Sequence, residues 1–131
     1  MKKSPKSIFK SFFLGIYNGW CLFWFVFIFL LLYPFTYLFL QIKRWHRYVH
    51  TLNRIWAFLY FPIIGKPLKI SYEFEPDTNK TYVFVANHFS YLDVAVGMGV
   101  VKNYFAYVGK SSVSKVPMFG YMFKKHHIMV D

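Results

Sequence analysis

A long apolar stretch near the N-terminus constrains the fold of this chain more than any other feature. Residues 20–40 contain one clearly polar side chain, Thr36. As a straight α-helix the stretch would be about 31 Å long, close to the thickness of the hydrocarbon core of a bilayer. A soluble chain of 131 residues would have little else to cover it. The stretch therefore predicts a membrane-associated segment.

Two features bear on how this segment meets a membrane. Pro34 lies two-thirds of the way along it and should kink or break a helix. Basic residues flank both ends equally: Lys2, Lys3, Lys6 and Lys10 before it, and Lys43, Arg44, Arg47 and Arg54 after it. This tie is expected if both ends stay on the cytoplasmic side. We therefore expect a broken hairpin that dips into the membrane; a single span is the second choice, and a buried core helix the third.

The next segment predicts an amphipathic helix. Apolar residues recur at steps of three and four, at Trp45, Val49, Leu52, Trp56, Leu59 and Ile63. Arginines between them place this helix at the headgroup interface, with a core-packing helix as the alternative. His46 and His50 lie four apart and could form a metal pair, but no third ligand is near. We assign residues 1–64 to a membrane-associating region, with a hydrophobic helix at about 12–40 and an amphipathic helix at about 43–61.

Composition narrows the partners of this chain. The net charge is +11, which would suggest nucleic acid, but 56% of the residues are hydrophobic. Because the basic segments flank an apolar run, an anionic lipid surface is the better partner, and no nucleic acid is expected. Cys21 is the single cysteine, so no intrachain disulfide can form.

Residues 65–131 predict an α/β layer. Residues 68–75 alternate apolar and polar side chains as a half-buried strand does, and 82–86 are apolar on both faces like a central strand. Further strands are predicted at 104–108 and 126–130. Between the strands we expect a helix reaching about Val101, and a short helix or loop that starts at residues 109–114 and is closed by Pro117 and Gly120. The last strand ends at the terminus, so we expect an incomplete, truncated domain.

The motif that carries chemistry lies where the predicted central strand ends. His88 follows Asn87, Ser90 can cap a helix, and Asp93 lies in its first turn. Five residues on one helix span about 500°, so His88 and Asp93 can meet only if His88 precedes the helix and folds back over it. Asp93 would then fix the imidazole tautomer and leave the other nitrogen free to take a proton from an alcohol. A capping box at Ser90 and Asp93, preceded by an ordinary polar turn, explains the same residues without catalysis.

At this point the sequence resembles the 1-acyl-glycerol-3-phosphate acyltransferases, the lysophospholipid or glycerolipid acyltransferase family. Residues 87–93 resemble the first signature block of that family, a histidine followed by four residues and an aspartate. Residues 108–110, 116–121 and 128–131 are similar in order and spacing to the segment that follows this block. The basic, aromatic N-terminal helices also match, so the resemblance covers essentially the whole chain.

The resemblance implies a mechanism for acyl transfer. His88 would act as general base on the free hydroxyl of a lysophospholipid, with Asp93 orienting it, and acyl-CoA or acyl carrier protein would be the co-substrate. Asn87, Ser90 and Lys110 are assigned to substrate binding, the first two by shaping the turn. Lys110 would face a phosphate, with a solvated lysine as the alternative. No metal or other cofactor is needed, and the catalytic part would lie on the cytoplasmic face of the membrane.

The sequence also departs from the family pattern. That pattern continues past Asp131 with an arginine and later a Glu-Gly block that helps to bind the acceptor phosphate. We therefore expect the 131-residue piece alone to be inactive or very weak. The alternatives are a non-catalytic membrane-anchoring fragment and a small lipid-binding membrane protein.

Overall fold

The computed structural model describes residues 5–87, 90 and 92–131, and most of its regular structure is helical. The helices are α1 (Pro5–Leu40), α2 (His46–Ile63), α3 (Leu92–Val100) and α4 (Phe119–His126). Short 3₁₀ turns lie at Lys43–Trp45 and Ser111–Lys115, and two strands, β1 (Val108–Lys110) and β2 (Ile128–Val130), complete the described elements.

Helices α1 and α2 form an antiparallel hairpin. The Tyr17 hydroxyl donates to the Ile64 carbonyl at 2.8 Å, and the indole N–H of Trp56 donates to the Phe25 carbonyl at 3.3 Å. Helix α1 begins earlier than the predicted hydrophobic helix, whereas α2 lies within a few residues of its predicted bounds. Gly65, at a φ of 73°, ends the hairpin in the left-handed conformation that glycine adopts at low cost.

The predicted break at Pro34 is wrong, because α1 runs through this residue without interruption. Proline removes one main-chain hydrogen bond, and the remaining bonds of a helix of about 54 Å keep its two parts together. Packing also supports the helix beside Pro34, where the ring of Phe29 lies 6.4 Å from that of Phe119 in α4. The segment is therefore one continuous helix rather than a broken, dipping hairpin.

Two apolar clusters hold the helices together. The larger joins α1, α2 and α3 and consists of Ile28, Trp56, Ala57, Tyr60, Phe61, Ile64 and Ala95. The smaller joins α1, α2 and α4 through Leu40, Val49 and Met122. Most apolar side chains of α1 stay exposed, and Phe9–Leu40 is long and apolar enough to cross a membrane.

The two strands and α4 form a β–α–β unit. Strands β1 and β2 pair in parallel, with Val108 opposite Ile128 and Lys110 opposite Val130. The predicted strands are displaced here: β1 begins where the prediction 104–108 ends, and β2 starts only after His126, which belongs to α4. Gly120 does not close the short helix as predicted but lies inside α4, where its lack of a side chain allows contact with the Ser114 carbonyl.

The predicted strands at 68–75 and 82–86 are also wrong. Both segments are irregular and unpaired in the described chain, and Val83 and Val85 are 89% and 90% exposed. An alternation of apolar and polar residues, or an apolar run, predicts extended backbone. A strand also needs a hydrogen-bonded neighbouring strand, and neither β1 nor β2 pairs with these segments. The expected α/β layer is thus reduced to a two-stranded parallel sheet in a mostly helical structure.

Candidate active site

The first turn of α3 has the hydrogen-bond pattern of a capping box. The backbone N–H of Ser90 donates to Oδ2 of Asp93 at 2.7 Å, and the backbone N–H of Leu92 donates to Oγ of Ser90 at 3.2 Å. Two N–H groups at the start of the helix therefore have side-chain acceptors. The structure consequently fixes the Asp93 carboxylate against the turn that precedes α3.

The predicted partner of Asp93 lies outside the described residues, because these end at Asn87 and resume at Ser90. The orientation of His88 toward Asp93 stays a prediction for this reason. A carboxylate accepts hydrogen bonds at both of its oxygens. Capping the helix and orienting an imidazole are therefore chemically compatible roles for Asp93, and the capping box does not decide between them.

The other predicted site residues lie at two places. Asn87 is exposed at the end of the segment that leads to Ser90, and Lys110 is exposed at the end of β1. Lys110 pairs through its backbone with Val130, so its position along the sheet edge is set by the register of β1 and β2. The backbone of Lys110 is thus fixed, while its side chain is left in solvent.

Tyr107 joins the segment before β1 to the start of α3. Its hydroxyl donates to the Val94 carbonyl at 2.6 Å, one residue after Asp93. Gly97 makes this approach possible, since a Cβ there would lie 2.5 Å from the Tyr107 hydroxyl oxygen. Burial raises the pKa of Tyr107 well above its ordinary value, so this donor keeps its proton. Sequence reasoning missed this contact because its partners lie thirteen positions apart in different elements.

Replacing Tyr107 by phenylalanine is expected to destabilise the fold by about 1 kcal/mol, because the Val94 carbonyl loses a half-buried hydrogen-bond donor. Thermal unfolding in detergent measures the loss, and hydrogen exchange should quicken in α3 more than in α1. Tyr48→Phe is the control, since the Tyr48 side chain is 55% exposed. Equal melting temperatures for wild type and Tyr107→Phe would contradict this role of the hydroxyl.

A cluster of histidines lies between α2 and the end of α4. Nε2 of His126 lies 3.3 Å from the carbonyl oxygen of His46, and its Nδ1 lies 3.4 Å from Nδ1 of His127. The backbone N–H of Tyr107 donates to Nδ1 of His127 at 3.2 Å. The ring of Tyr104 lies edge-on 5.5 Å from the His126 ring and 6.1 Å from that of His50.

These contacts favour neutral imidazoles. Because Tyr107 N–H can only donate, Nδ1 of His127 is an acceptor and the ring proton lies on Nε2, which is buried without a partner among the described residues. Burial, reinforced by nearby histidines, lowers the pKa of His127 to about 3 and that of His126 to about 4. Burial, reinforced by Arg54, also lowers the pKa of His50.

The sequence marks His46 and His50 only as a possible metal pair and assigns no role to His126 and His127. In the part of the chain that the structure describes, no group of three or more His, Cys, Asp or Glu side chains could hold a metal ion. The cluster instead packs α2 against α4. The contact between His46 and His126 joins residues 80 positions apart, so no local pattern could have identified the cluster.

Comparison with known proteins gives one match. Residues 68–131 match the model of the Acyltransferase family, which covers just under half of the chain and includes Asn87, Ser90, Asp93 and Lys110. No curated protein and no solved structure matches the chain. The match agrees with the resemblance drawn from the signature motif at the general level of acyl transfer.

Proposed function

We propose that the protein transfers an acyl chain from acyl-CoA or acyl carrier protein to the free hydroxyl of a lysophospholipid, with 1-acyl-glycerol-3-phosphate as the first candidate. The observation that carries the proposal is the acyltransferase match over residues 68–131. It contains the histidine and aspartate of the signature motif, and Asp93 of this motif lies in the first turn of α3.

In the proposed reaction, His88 takes the proton of the acceptor hydroxyl as its oxygen attacks the thioester carbonyl carbon. The carbon–sulfur bond then breaks, and the thiolate leaves and takes the proton back from the His88 imidazolium. Positioned base catalysis of this kind typically contributes about 10²–10⁴-fold. Asp93 would hold the imidazole tautomer, a role that is compatible with its capping bond to the Ser90 N–H.

The remaining assigned residues would bind substrate. Asn87 and Ser90 would shape the turn that carries His88, and Ser90 supports this role by accepting from the Leu92 N–H. Lys110 would face a phosphate of the acceptor or of the acyl carrier. Tyr107 contacts α3. Lys110 follows three residues later, so in extended backbone the Cα atoms of Tyr107 and Lys110 lie about 10 Å apart. An extended lysine side chain can bridge much of that distance.

The hairpin of α1 and α2 would bring this site to lipid, with the catalytic part on the cytoplasmic face. Support comes from the exposed apolar side chains of α1, which include Phe12, Leu22 and Leu31 at 63%, 65% and 60% exposure. Water-exposed apolar surface of this extent is unfavourable, and a bilayer would remove it from water. A lysophospholipid acceptor resides in the same bilayer, so association with lipid would also supply the substrate.

The test is an acyl-transfer assay on membranes from cells that express the complete reading frame containing this chain. Radiolabelled acyl-CoA is offered with 1-acyl-glycerol-3-phosphate, with lysophosphatidylcholine and with glycerol 3-phosphate. We expect labelled phosphatidic acid above the level of host membranes without the protein. If none of the three acceptors is acylated above that level, with either acyl-CoA or acyl carrier protein as donor, the proposal is wrong.

A further inference from the structure

A surface cavity lies at the start of α2, beside the turn that joins α2 to α1. Its volume is about 400 Å³, and its lining residues are Arg44, Trp45, Arg47 and Tyr48. This volume falls within the usual range of small-ligand sites, about 300–1,000 Å³. Two arginines and two amphipathic aromatic residues thus line a space large enough for a polar headgroup.

The charged side chains of the hairpin that forms the cavity are all basic. The first acidic residue of the chain is Glu73, so the whole hairpin lacks a carboxylate that could neutralise Arg44 or Arg47. Helix α2 has no acidic residue in its first turn, and its N-cap residue Trp45 makes no capping hydrogen bond through its side chain. The positive end of the helix dipole therefore adds to the two arginines, and all of these charges favour an anion.

The surroundings of the cavity connect it with the apolar surface of α1. The ring of Phe39 lies 5.9 Å from that of Trp45 and 5.5 Å from that of Tyr48. Leu38 and Ile42, at the same end of the hairpin, are 53% and 41% exposed. An anionic group in the cavity would thus lie next to exposed apolar side chains, as a headgroup lies next to its acyl chains. Tryptophan and tyrosine are typical of the membrane–water interface, where headgroups meet the acyl chains.

We propose that this cavity binds the phosphate headgroup of an intact anionic phospholipid of the bilayer. The arginine forks would make paired hydrogen bonds to the phosphate oxygens, and the acyl chains would lie along the end of α1. The site would differ from that of the reacting lysophospholipid: α3 packs near Ala57, about 15 Å along α2 from Arg47. The inference rests on the proposed membrane association and is independent of acyl transfer.

The test measures binding of short-chain phosphatidylglycerol to the full chain in nonionic detergent by isothermal titration calorimetry. Short-chain phosphatidylcholine is the matched neutral lipid, and inorganic phosphate is the soluble source of the same chemistry. We expect phosphatidylglycerol to bind most tightly of the three. Replacing both Arg44→Gln and Arg47→Gln should weaken that binding by roughly tenfold or more.

Three further variants separate a built site from general charge attraction. Lys80→Gln with Lys115→Gln removes the same charge elsewhere and should leave binding unchanged. Arg44→Lys with Arg47→Lys keeps the charge but removes the paired hydrogen bonds, and should weaken binding. His88→Ala should leave binding unchanged, so a failure of acyl transfer and a failure of this site give different results.

Three outcomes would overturn the headgroup site. The first is an equal loss of binding in the lysine pair and the arginine pair, which would show diffuse attraction. The second is unchanged binding after both arginines are replaced, with circular dichroism showing an intact helical fold. The third is inorganic phosphate binding as tightly as phosphatidylglycerol, because the lipid would then contribute nothing beyond its phosphate.

Discussion

Replacing His88 by alanine is expected to lower acyl transfer by about 10²–10⁴-fold, the usual contribution of a positioned general base. An acceptor hydroxyl is a weak nucleophile at neutral pH, so without the imidazole the chemical step itself slows. The loss should therefore be found in kcat, with a small change in the KM for the lysophospholipid. The measurement is the membrane acyl-transfer assay with the complete reading frame.

Two comparisons show whether the loss comes from the base or from the fold. Ser90→Ala removes the Oγ acceptor at the start of α3 and should cost about 1 kcal/mol of stability. Because Ser90 would shape the turn that carries His88, acyl transfer should also fall, but by less than in His88→Ala. The membrane-bound fraction should be the same for His88→Ala and the wild type, because the hairpin is untouched. Wild-type turnover in His88→Ala would contradict the catalytic role of the histidine.

Acidification from pH 7.5 to pH 5 is expected to destabilise the fold through its buried histidines. The pKa values of His126 and His127 are lowered by burial to about 4 and about 3, whereas an unfolded histidine has a pKa near 6.5. Below pH 6.5 the unfolded chain therefore takes up protons that the folded chain does not. Each of these two histidines should then lower the free energy of unfolding by about 1.4 kcal/mol per pH unit below pH 6.5. Above pH 6.5 the full stability is retained.

The pH window separates this effect from other titrations. The chain has only five acidic residues, and carboxylates ordinarily titrate below pH 5. A change of stability between pH 5 and pH 7.5 therefore reports mainly on histidine. Thermal unfolding, followed by near-UV circular dichroism in detergent, measures the change. In the double variant His126→Gln and His127→Gln the stability at pH 7.5 should be lower but its pH dependence much flatter. If the double variant loses as much stability on acidification as the wild type, this explanation is wrong.

Local patterns were sufficient for α2 and for the first turn of α3. The spacing of apolar residues from Trp45 to Ile63 predicts α2, which the structure has at His46–Ile63. Ser90 and Asp93 form the capping box that their spacing allows. Each of these features depends on contacts between residues a few positions apart, which are present in the sequence as a period or a spacing.

Local patterns failed where distant partners decide the outcome. Val83 and Val85 have strand-forming side chains, yet no strand pairs with them in the described chain. Pro34 normally interrupts a helix, but the helix bonds on both sides and packing against α4 keep α1 continuous. The sequence places His126 at the start of a strand. In the structure it lies in α4, and its side chain contacts the His46 carbonyl.

The sequence alone was sufficient to predict a long apolar segment, a basic amphipathic helix, and Asp93 in the first turn of a third helix. Tertiary structure decided that α1 and α2 form a hairpin, that Tyr107 contacts α3 next to Asp93, and that His50 and His126 are buried. The division has a physical reason. Helical periodicity and capping are energies of neighbouring residues, whereas burial and strand pairing depend on which distant segments fold against each other.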